Sequence, residues 1–190
     1  MKLRFLCIIP ARGGSKGLKN KNIIKIKGKR LIEYTLELAN KLSNINKSIL
    51  SSDADKILKI GKKFKNIEVH KRPKRLASDK SLIIDTIRFL VENQKQMGNY
   101  YEYVIILPPT SPLRKMKHLK DCLKLVKKNK PDSLVSVNKL SKPLEWLLKR
   151  TNKGYLVEAM GKGLSFGNRQ NKNEYFFPNG SIYILSTKKL

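Results

Sequence analysis

A short apolar stretch followed at once by a loop rich in glycines and cations constrains the fold of this chain more than any other feature. Leu3–Ile9 is an apolar run typical of a buried strand, and Pro10 follows it. Residues 11–22 then include three glycines and the cations Arg12, Lys16, Lys19 and Lys21. Glycines let backbone amides approach a ligand closely, and open α/β sheets bind ligands in the loops that follow their strands. The pattern therefore predicts a phosphate-binding loop, with a basic surface loop as the alternative.

The charge of the chain is extreme. Its 190 residues include 42 Lys and Arg against 14 Asp and Glu, a formal net charge of +28. Such a charge favours polyanionic partners, which include nucleic acid, an anionic membrane surface and phosphorylated substrates. Many lysines fall on the polar faces of predicted helices, so a solvated basic surface accounts for most of them. The length suits one α/β domain with a sizeable core.

Several classes of protein are disfavoured by the sequence. The apolar run within Met1–Pro10 is too short for a signal peptide, and no stretch approaches the roughly eighteen apolar residues of a membrane span. Cys7 and Cys122 form no C-x-x-C motif, which suggests reduced thiols in a cytoplasmic protein. With only His70 and His118 in the chain, a metal site built from histidines is not expected.

Helical and extended patterns alternate along the chain. Apolar residues recur at helical spacing over 30–42, 55–64, 82–94 and about 119–126. Short apolar runs predict further strands at 47–51, 67–70, 103–107, 133–137 and 180–185. Asp53 or Asp55 is expected to cap the second helix, and Asp79 the third. The alternation predicts right-handed βαβ units on a doubly wound, mainly parallel sheet.

The pattern changes after Lys142. Leu144–Leu148 and Tyr155–Val157 are expected to be extended, while residues 161–173 are rich in Gly, Asn and Lys and show no period. The segment from about 142 to 178 is therefore interpreted as an arm that leaves the sheet, within a single domain of residues 1–190.

Neither common phosphate-loop motif matches residues 11–22, since both G-x-x-x-x-G-K-[ST] and G-x-G-x-x-G are absent. The stretch instead resembles the A-R-x-x-S-K-G-x-x-x-K-N signature of the CMP–sialic acid synthetase (acylneuraminate cytidylyltransferase) family. Further stretches similar to family motifs follow in the expected order. They are Arg72–Asp79 (R-P-x-x-L-A-x-D), Leu107–Arg114 (L-Q-P-T-S-P-L-R in the family), Arg169-Gln170 (R-Q) and Pro178–Ile184 (P-N-G-[AS]-I-Y-I).

This resemblance implies a Rossmann-like fold of the nucleotide-diphospho-sugar transferase type, with a protruding arm that pairs two subunits in a homodimer. It implies an enzyme that joins an acidic nine-carbon sugar to the α-phosphate of CTP and releases pyrophosphate. The sugar would be sialic acid or a related nonulosonate such as legionaminic or pseudaminic acid. The implied cofactor is Mg²⁺, and no specific nucleic-acid partner or membrane span is expected.

The resemblance also assigns residues to roles. Arg12 and Lys21 would be catalytic by holding the triphosphate. The nucleotide site as a whole would comprise Ala11, Arg12, Ser15, Lys21, Asn22, Arg72 and Ser81. The sugar site would comprise Thr110, Ser111, Arg169 and Asn179, where an arginine such as Arg169 can pair bidentately with the sugar carboxylate.

Three departures from the family pattern bear on activity. Pro108 replaces a glutamine, and Glu145 stands where sialic acid synthetases have a lysine. The family's acidic metal-binding motif would lie beyond Leu190, so no metal ligand is expected in the chain itself, and slow turnover is predicted. The alternatives are a nucleotidyltransferase for a different sugar, an inactive truncated homologue, and, from another class, a basic nucleic-acid-binding protein.

Overall fold

A computed structural model describes residues 3–14, 17–78, 81–142, 144–159 and 174–190. The chain divides into two compact units, a larger one of Met1–Ser136 with Gly180–Leu190 and a smaller one of Val137–Asn179. The predicted arm lies within the smaller unit. In the described residues, no helix is both long enough and apolar enough to cross a membrane.

Strands and helices alternate through the larger unit as predicted. The elements, in chain order, are β1 (Phe5–Pro10), β2 (Lys25–Ile26), β3 (Lys29–Arg30), α1 (Leu31–Asn40), β4 (Lys47–Ser52), α2 (Asp55–Gly61), β5 (Glu68–Lys71), α3 (Ile83–Gln96), β6 (Tyr103–Ile106), α4 (Met116–Asn129), β7 (Ser133–Lys139), β8 (Leu148–Arg150), β9 (Leu156–Glu158) and β10 (Phe176–Ser186). Six of the strands form one sheet in the order β5-β4-β1-β6-β10-β7. The first four are mutually parallel, and β10 runs antiparallel to β6.

The central strand β1 is buried along its whole length, which explains its continuous apolar sequence. Its side chains alternate between two cores. Phe5, Cys7 and Ile9 pack with α1, α2 and α4, whereas Leu6 and Ile8 pack with α3. Helices therefore cover both faces, and the prediction of a doubly wound, mainly parallel sheet is confirmed.

The connections from β1 create a crevice at one edge of the sheet. Within the six-stranded sheet, the next strand along the chain after β1 is β4, which lies on one side of β1. The strand β6 comes later in the chain and lies on the other side of β1. At such a switch point the loops after the two neighbouring parallel strands lead away from each other, and open α/β sheets bind ligands there. The loops that follow β1 and β6 both lie at this carboxyl edge.

Three local predictions are wrong. Leu144–Trp146 forms a turn of 3-10 helix, closed by a hydrogen bond of 2.9 Å from the Leu147 amide to the Leu144 carbonyl, and only Leu148–Arg150 is extended. A short apolar run cannot by itself distinguish these conformations. Neither Asp53 nor Asp55 caps α2, whose N-cap residue is Ala54 without a side-chain cap. Asp79 lies outside the described residues, but the N-cap residue of α3 is Leu82, so the prediction that Asp79 occupies that position is also wrong.

Candidate functional site

The loop after β1 is anchored to the end of β4 by two hydrogen bonds. The Ala11 amide donates to the Ser51 carbonyl, and the Gly13 amide donates to Oδ1 of Asp53, each at 2.9 Å. A Cβ on Gly13 would lie 2.6 Å from the Cβ of Ala54, so the two chain segments touch at this point. The Asp53 carboxylate thus fixes the glycine-rich loop instead of capping the helix that follows it.

The other end of this loop is held by Asn22. Its buried side chain donates from Nδ2 to the Arg12 carbonyl at 2.9 Å, across ten residues of chain. Asn22 belongs to a turn of 3-10 helix, Lys21–Ile23, that follows Asn20 in a left-handed conformation with φ of 58°. The loop is consequently closed on itself before α1 begins, with Arg12 and Lys21 half-buried at its two ends.

Arg72, directly after β5, brings a buried cation to the same edge of the sheet. It is only 6% exposed, and its guanidinium donates from Nε to Ser51 Oγ at 3.2 Å and from Nη2 to the Ser51 carbonyl at 2.8 Å. Burial lowers the pKa of Arg72, nearby Asp53 opposes that change, and Arg12 adds to it. Arginine remains charged at neutral pH, so a cation is held beside the loop that starts at Ala11.

Ser51 also contacts His70, its neighbour across the β4–β5 pair. Ser51 Oγ lies 3.3 Å from His70 Nδ1. The pKa of His70 is lowered, mainly by burial and then by the charge of Arg72, while Glu68 opposes the change. His70 is therefore neutral at pH 7. Its Nδ1 can accept a hydrogen bond from the Ser51 hydroxyl, while the Ser51 oxygen accepts a hydrogen bond from Arg72.

The loop after β6 carries a second buried cation. Thr110 is exposed, and the half-buried Ser111 donates from Oγ to the Gly180 carbonyl at 3.4 Å. Arg114 is only 7% exposed and donates to the Ser181 carbonyl at 3.0 Å, to Pro108 and to α1. Burial lowers the pKa of Arg114 to about 10, so it is cationic at neutral pH.

The two buried guanidinium groups share an electrostatic property. Within the described ranges, neither Arg72 nor Arg114 forms an ion pair with a carboxylate; both bind only carbonyl and hydroxyl oxygens. Oxygen dipoles satisfy their N–H groups but leave their net charge in place. The carboxyl edge of the sheet is therefore positively charged, which suits anionic ligands.

The residues predicted to bind nucleotide are brought together only in part. Ala11, Arg12, Lys21 and Asn22 share the loop after β1, and Arg72 reaches that loop through Ser51. Ser81 has its hydroxyl engaged locally, where it donates to the Arg75 carbonyl at 2.6 Å and lies 2.6 Å from Ser78 Oγ. Ser15 lies outside the described residues.

The described residues that are predicted to bind sugar lie in the loop after β6 and in the smaller unit. Thr110 and Ser111 lie in the loop after β6, at the same sheet edge as Arg12. Asn179 belongs to the smaller unit and donates to Asn138 Oδ1 at 3.0 Å. Arg169 lies outside the described residues.

The described residues do not form a metal centre of their own. Across those ranges, no group of three or more His, Cys, Asp or Glu side chains is placed to hold a metal ion. Asp53 is a single carboxylate that accepts from the Gly13 amide. A single carboxylate would hold Mg²⁺ only together with substrate phosphates, which supply oxygen ligands in many magnesium sites.

Three residues of the site were missed from the sequence. Ser51 ends a predicted strand and Asp53 follows it, but their pattern indicates a helix start as readily as a site. Arg114 closes the motif that begins at Leu107, yet nothing in the spacing indicates that it is buried. For Ser51 and Asp53 the signal is a polar residue at the carboxyl end of a predicted parallel strand, whereas Arg114 lies seven positions beyond the predicted strand 103–107 and is indicated only by its place in the motif.

The fold and the site together define a class of protein. A doubly wound sheet with a glycine-rich, cationic loop at its switch point, and with buried cations on either side, is a nucleotide-binding α/β domain. Residues 6–173 match the model of the cytidylyltransferase family. The chain belongs to this family.

Curated relatives cover almost the whole chain. It is 32% identical over 189 residues to a CMP-N,N'-diacetyllegionaminic acid synthase of Legionella pneumophila, a match that spans 99% of this chain and 80% of that protein. It is 31% identical to an N-acylneuraminate cytidylyltransferase of Escherichia coli, over 98% of this chain but only 43% of that protein. A pseudaminic acid cytidylyltransferase of Campylobacter jejuni is 30% identical over 82% of this chain and 68% of its own length.

Solved structures share the fold at lower sequence identity. A CMP:2-keto-3-deoxy-manno-octonic acid synthetase solved with CTP matches with a TM-score of 0.65 and 16% identity, over 96% of this chain and 74% of that one. A 4-diphosphocytidyl-2C-methyl-D-erythritol synthase matches with a TM-score of 0.67 and 14% identity, over 98% and 76% of the two chains. The Rossmann-like nucleotide-sugar transferase fold is thereby confirmed.

The contact between Gly13 and Ala54 leads to a stability prediction. We expect Gly13→Ala to lower the free energy of unfolding by about 1–3 kcal/mol, because the added methyl group overlaps Ala54. Gly14→Ala is the matched control, since a Cβ there meets no described atom within 4 Å. Urea denaturation of both variants measures the difference, and equal stabilities would show that the loop does not press against the end of β4.

Proposed function

We propose that the chain transfers CMP from CTP to an acidic nine-carbon sugar of the nonulosonic acid class, with release of pyrophosphate. The observation that carries this proposal is the closed, glycine-rich loop with Arg12 and Lys21, anchored beside buried Arg72 at the switch point of the sheet. The names of the relatives supply the sugar class, since they act on legionaminic, N-acylneuraminic and pseudaminic acids.

The reaction needs positioning and charge more than covalent chemistry by the protein. The anomeric oxygen of the sugar forms a bond to the α-phosphorus, the bond from that phosphorus to the bridging oxygen breaks, and the hydroxyl proton passes to solvent. Charge accumulates on the phosphate oxygens as pyrophosphate leaves. Arg12 and Lys21 would hold the triphosphate and stabilise that charge, while Asn22 and the backbone amides of the loop bind by hydrogen bonds.

The sugar would lie toward the loop after β6. Thr110 offers an exposed hydroxyl there, and Ser111 lies beside it. We include Arg169 and Asn179 in the sugar site, with Arg169 as the partner of the carboxylate. We also propose that Mg²⁺ is required and that it enters with the CTP phosphates, since the described residues offer no metal centre.

Removing either loop cation tests the nucleotide assignment. We expect Arg12→Ala and Lys21→Ala each to weaken CTP binding by about 1–3 kcal/mol, typical of a charge-assisted hydrogen bond. Calorimetry with CTP gives the measurement, and Lys124→Ala, at an exposed position on α4, is the control. Unchanged CTP affinity in both loop variants would contradict the assignment. Pyrophosphate release from CTP with N,N'-diacetyllegionaminic, N-acetylneuraminic and pseudaminic acids then tests the reaction.

We further propose that the net charge of +28 serves small polyanions and not a specific nucleic acid. We expect weak binding to a DNA duplex that falls steeply with salt, because release of counterions dominates non-specific binding. Fluorescence anisotropy between 50 and 200 mM salt measures this dependence, with and without CTP. Nanomolar DNA binding that persists at the higher salt and is not reduced by CTP would favour a nucleic-acid-binding protein instead.

We also propose that the smaller unit pairs two copies of the chain. Within that unit several large apolar side chains are solvent-exposed. They include Leu148, Tyr155, Leu156, Phe176 and Phe177. A second copy that covers this surface would remove it from water, and exposed apolar patches commonly mark such interfaces.

Sedimentation equilibrium tests the pairing. We expect a dimer for the unmodified chain and a shift toward monomer for Leu156→Lys, since a lysine ammonium would be desolvated in the interface. Leu125→Lys on α4 should leave the dimer intact, although Leu125 is also exposed. A monomeric unmodified chain, or equal effects of the two lysines, would count against this interface.

A further inference from the structure

Arg114 is a buried cation that no step of the proposed reaction uses. A guanidinium group removed from water is costly unless its N–H groups find acceptors. Over the described ranges, the acceptors of Arg114 are all neutral oxygens, and no carboxylate pairs with it. The guanidinium carries five N–H donors in a rigid fork, which suits it to hold several acceptors in a fixed arrangement.

The contacts of Arg114 show what that task is. Nη2 donates to the carbonyl of Pro108 at 2.7 Å, which closes the loop of residues 108–114 on itself. Nε donates to the carbonyl and Oγ of Ser181 at 3.0 and 3.3 Å, and Nη1 donates to Thr35 Oγ1 on α1 at 3.2 Å. One side chain therefore joins the loop after β6 to α1 and to β10.

A second hydrogen bond strengthens the same junction. Ser111 Oγ donates to the carbonyl of Gly180, the residue before Ser181. The Arg114 amide donates to the Ser111 carbonyl at 3.2 Å, which tightens the turn between them. The exposed Thr110 lies next to this turn, so its position depends on the same contacts.

We infer that Arg114 is a positioning residue that holds the 108–114 loop in the shape that binds the acidic sugar. This inference rests on the proposed function, because it assigns the loop to the sugar and not to CTP. The loop after β1, which would hold CTP, is anchored separately through Ser51 and Asp53. Loss of Arg114 should therefore affect the sugar far more than the nucleotide.

Substitution of Arg114 by lysine distinguishes a role in loop geometry from a role that depends only on positive charge. Arginine donates along fixed directions from three nitrogens, whereas lysine has a single nitrogen at the end of a flexible chain. Arg114→Lys keeps the charge but cannot reach Pro108, Ser181 and Thr35 together. If shape is what Arg114 supplies, the lysine variant fails about as badly as the neutral Arg114→Gln.

Steady-state pyrophosphate release tests the inference, with N,N'-diacetyllegionaminic acid, N-acetylneuraminic acid or pseudaminic acid as the sugar, whichever the unmodified chain uses best. We expect kcat/KM for the sugar to fall by about 10- to 100-fold in both Arg114 variants, as for a reacting group misplaced by about 1 Å. The dissociation constant of CTP should stay within about twofold of the unmodified chain. Arg88→Gln, at an exposed position on α3, is the matched control and should leave kcat/KM unchanged.

The outcomes separate this inference from the proposed function. If the unmodified chain neither binds CTP nor releases pyrophosphate, the proposed function fails. If the unmodified chain does both, two results would overturn the positioning role. One is that CTP affinity and kcat/KM for the sugar fall together in the Arg114 variants. The other is that Arg114→Lys is as active as the unmodified chain. Should both Arg114 variants fail to fold, Thr35→Val is the alternative, because it removes only one of the acceptors of Arg114. A higher KM for the sugar without weaker CTP binding would support the positioning role. An unchanged KM for the sugar would overturn it.

Discussion

The backbone carbonyl of Ser51 is the contact on which the geometry of the site depends. It accepts from the Ala11 amide and from the Arg72 guanidinium, so one oxygen atom joins the ends of β1, β4 and β5. The neighbouring Asp53 carboxylate then binds the Gly13 amide. Because these acceptors belong to a buried strand and the turn that follows it, the loop is shaped before any ligand arrives, which reduces the entropy lost on binding.

The fixed positive charge at this edge of the sheet comes from buried arginines that, within the described residues, form no ion pair with a carboxylate. Most lysines of the chain are exposed and screened by salt, so their contribution to ligand binding at a distance is small. Arg72 and Arg114 differ, because they are surrounded by protein and satisfied by neutral oxygens. A net cation in a region of low polarisability acts strongly on an anion nearby. The buried charge of Arg72, beside the loop after β1, therefore suits a polyanion bound there, whereas Arg114 is proposed to supply geometry.

The predictability of the fold follows from the periodicity of its elements. β1, α1 and α3 were recognised because each presents a long apolar pattern to the core, and their bounds differ from the predicted ones by only a few residues. Leu144–Trp146 was misjudged because a three-residue turn carries no period. Asp53 was misjudged because a polar residue before a helix suits both a cap and a tertiary contact, and only the approach of Gly13 decides between them.

The sequence by itself determined the alternation of strands and helices, the glycine-rich cationic loop and the family, since these are properties of local pattern and motif order. The tertiary structure alone decided that Ser51 joins three strand ends, that Asp53 anchors Gly13, and that Arg114 lies buried against α1 and β10. Those contacts join residues 21 to 79 positions apart along the chain. No local pattern encodes them, because they arise only once the strands of the sheet and the helix α1 have come together.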